Sequence, residues 1–301
     1  MNGAQIAYTG DYEEFFSSDE NALYISNHQT SVDWIVVDML AIKQDLLGRI
    51  RFMHKDELKY IPFFGLYFWQ HSCINVGRFG SFDERKTINQ LKYLKNNNLP
   101  TWLTIFPEGT RFDPVKTSTI VKSQKFAQNK GWPVLENHLT PRSRGMFLAL
   151  NHLHSHFNSV YDVTIAYEAT RQWSDSTERY TRVKAPGMVD FALGYSPKIH
   201  VNIRKINISD VPYESEEEVG RWLHSCFERK DKLMENFLAT GQFEEGKAEL
   251  VPVSKWSQTL PHTLFNTCVT LTCLAFPFGR YAYLSSTFIG SLLGILWMKY
   301  H

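Results

Sequence analysis

The sequence predicts an α/β fold: a three-layer αβα sandwich with a mostly parallel central sheet, plus a C-terminal transmembrane helical hairpin. Three observations carry this prediction. Apolar runs of strand length alternate with helix-length segments from residue 21 to about residue 208, the pattern of parallel-sheet proteins. The side chains richest in chemistry stand just past the ends of those apolar runs, where open α/β sheets bind their ligands. Beyond residue 260 the chain becomes apolar and nearly free of charge. These shifts divide the chain into a polar segment over 1–20, a globular domain over 21–238, a linker over 239–259 and membrane segments over 260–301.

Taken in order, residues 23–26 form a short apolar strand. Residues 30–43 form a helix with Val32, Trp34, Ile35, Val36, Val37, Met39, Leu40 and Ile42 distributed almost all round it, so it is expected to be buried. Strands follow at 51–53 and 73–76, then a polar-faced helix at 82–96. A strand at 101–106 ends in a Pro-Glu-Gly-Thr turn, and 118–129 is helical. Strands return at 161–166 and at 198–206, where Ile199, Val201 and Ile203 alternate with polar residues. The polar stretch 170–185 predicts a surface loop, and 214–239 a charged amphipathic helix. In the tail, 263–278 and 281–298 carry no charge, and Gly279-Arg280 separates them. Eighteen helical residues span about 27 Å, close to the roughly 30 Å of a bilayer's hydrocarbon layer. Tyr281, Tyr283 and Trp297 stand where interfacial anchors would, which favours a membrane hairpin over a buried or re-entrant one.

Composition narrows the function classes. At 43% hydrophobic and 21% charged, the chain is of ordinary globular make-up. Its net charge of +1 gives no global basic field, so nucleic acid is not an expected partner and any anion site must be local. The four cysteines show no C-x-x-C pair and no zinc spacing, which suits free thiols in a reducing setting, with an oxidised pair as the alternative. The first twenty residues, with Asp11, Glu13, Glu14, Asp19 and Glu20, lack the basic start and apolar stretch of a signal peptide. His152, His154 and His156 alternate, and alternate positions on a helix do not converge, so no metal is expected. The aromatic run over 62–69 suits either an acyl-chain groove and membrane rest or plain core packing.

Two clusters hold the chemistry. In Asn27-His28-Gln29-Thr30-Ser31-Val32-Asp33, a histidine can take a proton from an alcohol and return it, and an aspartate on its other ring nitrogen would fix the tautomer. Residues five apart on one helix differ by about 140° of rotation, so the pair meets only if the chain turns between them. Thr30-Ser31-Val32-Asp33 matches a capping box, with Thr30 as N-cap and Asp33 at the third helical position. Asp33 is then a helix cap, a histidine partner, or both. The second cluster, Phe106-Pro107-Glu108-Gly109-Thr110-Arg111, closes an apolar strand. Gly109 permits a tight turn, and Arg111 suits two parallel hydrogen bonds to a phosphate or a surface pairing with Asp113. Arg78, after Cys73-Ile74-Asn75-Val76-Gly77, and Lys55, in His54-Lys55-Asp56-Glu57-Leu58, also follow strand-like runs. Either is an ordinary surface charge or part of a phosphate pocket. Together the clusters suggest acyl transfer onto a phosphate-bearing alcohol.

The order Asn-His-x4-Asp, Lys-x-Glu-Leu, a strand ending in Arg, Phe-Pro-Glu-Gly-Thr-Arg and then Leu139-Thr140-Pro141-Arg142 resembles the glycerolipid acyltransferases. Arg221-Trp222-Leu223-His224 adds to it, and within the family the likeness is to the 1-acylglycerol-3-phosphate acyltransferases of the epsilon type. The resemblance implies His28 as general base with Asp33 orienting it. It implies Arg78, Glu108, Gly109, Thr110 and Arg111 at the acceptor and phosphate site with Lys55 added, and Pro141 in an acyl-donor region. It implies a lysophospholipid and acyl-CoA as substrates, no cofactor, a bilayer as partner, and the endoplasmic reticulum or a mitochondrial membrane as home. Lysocardiolipin as acceptor and a catalytically silent membrane scaffold are the alternatives. Two departures stand out. Ser72 and Cys73 occupy the place where the family's second block often has glycine, and the 27 residues before His28 are polar where relatives usually carry a membrane segment.

Overall fold

The computed structural model describes residues 4–61, 64–77, 83–196, 198–243, 249–251 and 256–300. In chain order the first elements are β1 (Gln5–Gly10), α1 (Tyr12–Ser17), β2 (Ala22–Ser26), α2 (Asp33–Lys43), β3 (Ile50–Lys55), α3 (Phe64–Gln70), β4 (Ile74–Val76), α4 (Glu84–Asn96), β5 (Trp102–Ile105), α5 (Thr117–Asn129) and α6 (Ser143–Leu153). They are followed by β6 (Ser159–Tyr167), β7 (Arg171–Ser174), β8 (Arg179–Arg182), α7 (Met188–Ala192), β9 (Lys198–Asn207), α8 (Glu216–Thr240), β10 (Glu249–Val251), α9 (Trp256–Ala275) and α10 (Pro277–Tyr300). The chain divides into two compact units, one of residues 1–50 and 94–252, the other of residues 51–93 and 253–301.

The first unit holds a mixed sheet in the order β10-β1-β9-β6-β2-β5. The pairs β2–β5, β2–β6 and β1–β9 are parallel, while β6–β9 and β1–β10 are antiparallel. The mostly parallel α/β core expected from the sequence is therefore present. Ala-Leu-Tyr-Ile-Ser of β2 is buried at every position because it has a strand on each side and is covered on both faces. Its register sets Leu23 beside Leu103 and Ile25 beside Ile105, so β2 and β5 end together. That common end places the His28 and Glu108 segments side by side. Behind it, Phe15, Trp102 and Tyr161 pack at ring-centroid distances of 4.8–6.2 Å. Each such ring contributes roughly 1.5–3 kcal/mol by burial alone.

Helix α8 begins with Glu216, Glu217 and Glu218 in its first turn and ends at Gly241, whose φ of +84° supplies the left-handed C-terminal cap. Its wholly buried Lys230 lies 2.6 Å from Asp162 of β6, which Arg204 of β9 also meets at 3.1 Å. Removing one partner of such a group strands a charge in the interior. The polar stretch 170–185 is not a plain surface loop. β7 and β8 form an antiparallel hairpin with Trp173 packed edge-on against Tyr180. Arg171 lies 3.3 Å over the Tyr180 ring and donates to the carbonyls of Leu238 and Ala239 at the end of α8. Most of the stretch does face solvent, but Arg171 and Arg182 at its two ends are turned toward protein acceptors.

In the second unit β3 and β4 pair in parallel, with His54 beside Asn75 and Lys55 beside Val76. His54 stacks on the buried Phe68 of α3 at 3.7 Å, whereas Trp69 is exposed, so the aromatic run is part core and part surface. Residues 62 and 63 of that run lie outside the described residues. Helices α9 and α10 pack on one another, and α10 also meets α3. The transmembrane hairpin expected from the sequence is overturned: among the described residues no helix is long and apolar enough to cross a membrane. Freedom from charge is not the same as hydrocarbon character. Pro261 interrupts α9, which also carries Thr263, Asn266, Thr267, Thr270 and Thr272, and α10 carries Gly279, Arg280, Ser285, Ser286 and Gly290.

Candidate active site

The chain leaves β2 at Ser26 and makes a turn before α2 starts at Asp33. Asn27 fixes the departure, because its side chain donates to Ile165 O at 3.0 Å and accepts from Ile165 N at 2.8 Å. Asp33 then gathers the turn: its Oδ2 accepts from the amides of Gln29 (2.6 Å) and Thr30 (3.0 Å) and from His28 Nδ1 (2.8 Å). Its Oδ1 accepts from the Tyr167 hydroxyl at 2.7 Å. The expected capping box is corrected in detail. Val32, not Thr30, is the N-cap, and the Thr30 hydroxyl donates to Pro186 O instead. Asp33 reaches back to two amides as a cap would, and that same reach brings it to the imidazole.

Histidine and aspartate are thus adjacent, with the carboxylate sealed and 24% of the histidine side chain open to solvent. A carboxylate oxygen accepts here, so His28 Nδ1 carries the hydrogen of this bond, and in a neutral ring Nε2 is then the acceptor. The ring leans on Phe106 at 4.7 Å. Burial, followed by the charge of Asp33, raises the Tyr167 phenol well above its usual range, which keeps it a hydrogen donor.

Glu108 ties the second cluster to the first. Its Oε1 accepts from His28 N at 2.7 Å and its Oε2 from Leu139 N at 2.9 Å. Phe112 N donates to His28 O at 2.7 Å, and Arg142 N to Pro107 O at 2.9 Å. The His28 turn, the 106–112 segment and the 139–142 segment therefore form one hydrogen-bonded unit at the ends of β2 and β5. Burial pushes the Glu108 carboxyl up to about 8, against the two amides and the Arg182 charge, which pull it down. Gly109 takes a φ of +65°, and the Arg142 side chain lies where a Cβ would point, 3.4 Å away. Arg111 is exposed beside it, Thr110 is partly buried and Pro141 is buried.

Two expected residues fall outside this description of the first unit. Lys55 closes β3 in the second unit, and Arg78 lies outside the described residues. Among the alternate histidines, His154 Nε2 donates to Ile208 O and His156 Nε2 donates to Leu99 O, so their rings serve separate backbone carbonyls. Sequence reasoning missed Tyr167, Arg182 and the Asn27 side chain. Asn27 had a signal in its place directly before the histidine, whereas Tyr167 and Arg182 are remote in sequence and carried none.

Residues 9–168 match the Acyltransferase family model, and residues 192–265 match the model described as Acyltransferase C-terminus. The chain belongs to the acyltransferase family. It is 37% identical over 300 residues to the mouse 1-acyl-sn-glycerol-3-phosphate acyltransferase epsilon, covering 98% of this chain and 80% of the mouse protein. It is 31% identical to the Arabidopsis thaliana probable 1-acyl-sn-glycerol-3-phosphate acyltransferase 5, covering 81% of this chain and 60% of the plant protein. The human 1-acyl-sn-glycerol-3-phosphate acyltransferase delta is 26% identical, over 87% of this chain and 63% of the human protein. The resemblance drawn from the ordered motifs is borne out at the level of the acyltransferase family. The two matched regions leave residues 169–191 of this acyltransferase between them.

Proposed function

We propose that this acyltransferase moves a fatty acyl group from acyl-CoA to the sn-2 hydroxyl of 1-acylglycerol-3-phosphate, giving phosphatidic acid and CoA. The observation that carries the reading is the open His28 ring with its Nδ1 held 2.8 Å from the sealed Asp33. Nε2 takes the hydroxyl proton while the oxygen attacks the thioester carbonyl carbon. The tetrahedral intermediate then breaks its carbon–sulfur bond, and the CoA thiolate leaves with the proton that His28 returns. The Thr110 and Arg111 amides are the proposed place for a developing oxyanion, because the amides of Gln29 and Thr30 are taken by Asp33 and that of Gly109 by Phe106 O.

Arg111, exposed next to Phe112, whose amide meets His28 O, is the phosphate ligand nearest the base. Arg78 and Lys55 join it on the strength of their motif positions. Glu108 acts by holding His28 and Leu139, since each of its oxygens is occupied by an amide. Thr110 shapes the acceptor side of the turn, and Pro141 belongs to the acyl-donor region. No cofactor takes part. Both substrate and product are lipids, and exposed Phe265, Phe276, Phe278 and Phe288 support contact with a bilayer surface. The endoplasmic reticulum is the proposed site, with a mitochondrial membrane as the alternative.

The test is product analysis of the purified chain with acyl-CoA and a panel of acceptors: 1-acylglycerol-3-phosphate, lysocardiolipin and glycerol 3-phosphate. Phosphatidic acid as the dominant product supports the reading, and preference for another acceptor replaces it. Arg111→Ala is expected to raise the KM for 1-acylglycerol-3-phosphate roughly tenfold or more, as loss of a charge-assisted contact does. An unchanged KM removes Arg111 from the phosphate site.

A further inference from the structure

Arg182 ends β8, in the stretch between the two matched family regions, and it draws three parts of the active site together. Its guanidinium donates to Asn137 O and, at 2.5 Å, to Gln29 Oε1, and it lies 4.2 Å over the Phe112 ring. Each of these partners is one or two residues from a residue of the site. Gln29 follows His28, Phe112 follows Arg111, and Asn137 precedes Leu139, whose amide meets Glu108. Around the guanidinium stand the carboxylates of Glu108, Asp231 and Asp33, which oppose the effect of burial on it.

The 136–139 segment is gripped from the other side as well. Asp231 of α8 accepts from Glu136 N at 2.9 Å, Asn137 N at 2.7 Å and His138 Nδ1 at 3.0 Å. Gln29 is held at its other end, where its Nε2 donates to Ile165 O at 2.6 Å. The planar fork of an arginine reaches two acceptors at once while stacking on an aromatic ring, which a lysine ammonium does not.

We propose that Arg182 is a positioning residue that locks the His28 turn, the 106–112 segment that carries Arg111 and the 136–139 segment into one arrangement, so that base and phosphate ligand keep a fixed separation. The proposal rests on the acyltransfer reading above. Arg182 touches no reacting atom, and its effect runs through Gln29, Phe112 and Asn137. Small displacements of a base from its target cost about 10²-fold in rate.

The test compares Arg182→Lys, Arg182→Gln and Gln29→Met with the unaltered full chain, each checked for folding by thermal unfolding. Rates are measured with acyl-CoA and the lysophospholipid that the unaltered chain acylates. Arg182→Gln is expected to lose about 10²-fold in kcat with acceptor KM within about twofold, because alignment and not binding is lost. Arg182→Lys is expected to fall in between. The Arg182→Gln and Gln29→Met losses are expected to be non-additive, since they break one shared contact. A folded Arg182→Gln protein with kcat within about threefold of the unaltered chain overturns the proposal, as does a rise in KM at constant kcat. If Arg182→Gln does not fold, Gln29→Met decides: a kcat loss of about fivefold or more supports the lock, and a smaller one overturns it. An unaltered chain that acylates no lysophospholipid defeats the functional reading, an outcome separate from these.

Discussion

Two histidine–aspartate couples in the first unit are built alike and open in opposite directions. In one, Asp33 accepts from His28 Nδ1 and from the amides of Gln29 and Thr30. In the other, Asp231 accepts from His138 Nδ1 and from the amides of Glu136 and Asn137. The couples differ by only 0.2 Å in bond length, 2.8 against 3.0 Å. Exposure separates them: the His28 side chain is 24% open over a sealed Asp33, whereas His138 is fully sealed under an Asp231 that is 15% open. The same motif of hydrogen bonds thus leaves one ring partly open to solvent, as the proposed base requires, and seals the other inside the fold. The inward nitrogen, His138 Nε2, makes no hydrogen bond among the described residues. Burial pulls the His138 imidazole down to about 4, against the bond and charge of Asp231, which raise it, and with Arg182 and Lys230 adding to the fall.

The comparison breaks if the two couples respond alike to substitution. His28→Ala removes the proposed base outright and is expected to lower kcat by about 10³-fold or more. Asp33→Asn keeps the shape but gives up the acceptor that fixes Nδ1–H, and a loss of about 10²-fold is expected in the same assay. Tyr167→Phe leaves one oxygen of a sealed carboxylate without its donor. That change is expected to cost about 1–3 kcal/mol in urea unfolding, with a kcat loss of about tenfold.

His138→Asn is the smallest in rate, within about threefold, because Asn donates to Asp231 without titrating. Its signature is in stability against pH. Between the ordinary histidine value near 6.5 and about 4, the unfolded chain binds a proton that folded His138 does not. Stability of the unaltered chain therefore falls as pH falls through that window, by up to about 3 kcal/mol. His138→Asn is expected to flatten that slope in denaturant titrations at pH 7, 6 and 5. An unchanged slope shows that the sealed histidine does not titrate as its burial requires.

Much of the first couple was legible in the sequence. Histidine and aspartate sit five residues apart with cap-forming residues between them, and local backbone geometry is enough to bring them together. The second couple spans 93 residues, and nothing local in His138 or Asp231 announces it. Arg182 was hidden for a related reason. Polarity over 170–185 marks a largely solvent-exposed stretch, and only the hairpin's pairing shows that Arg171 and Arg182 within it meet backbone carbonyls. Strand β1 lies in a short polar stretch, and only its pairing with β9 and β10 explains the burial of Ile6, Ala7 and Tyr8. The tail misled in the opposite sense: absence of charge was visible, but the threonines, serines and Pro261 that dilute it weigh on whether a helix can cross a bilayer.

The most direct measurement is formation of phosphatidic acid from 1-acylglycerol-3-phosphate and acyl-CoA by His28→Ala and His138→Ala side by side. Both are normalised to folded protein by thermal unfolding. The account predicts a loss of about 10³-fold or more for His28→Ala and a rate within about tenfold of the unaltered chain for folded His138→Ala. Comparable losses in the two variants, or undiminished turnover by His28→Ala, would contradict it.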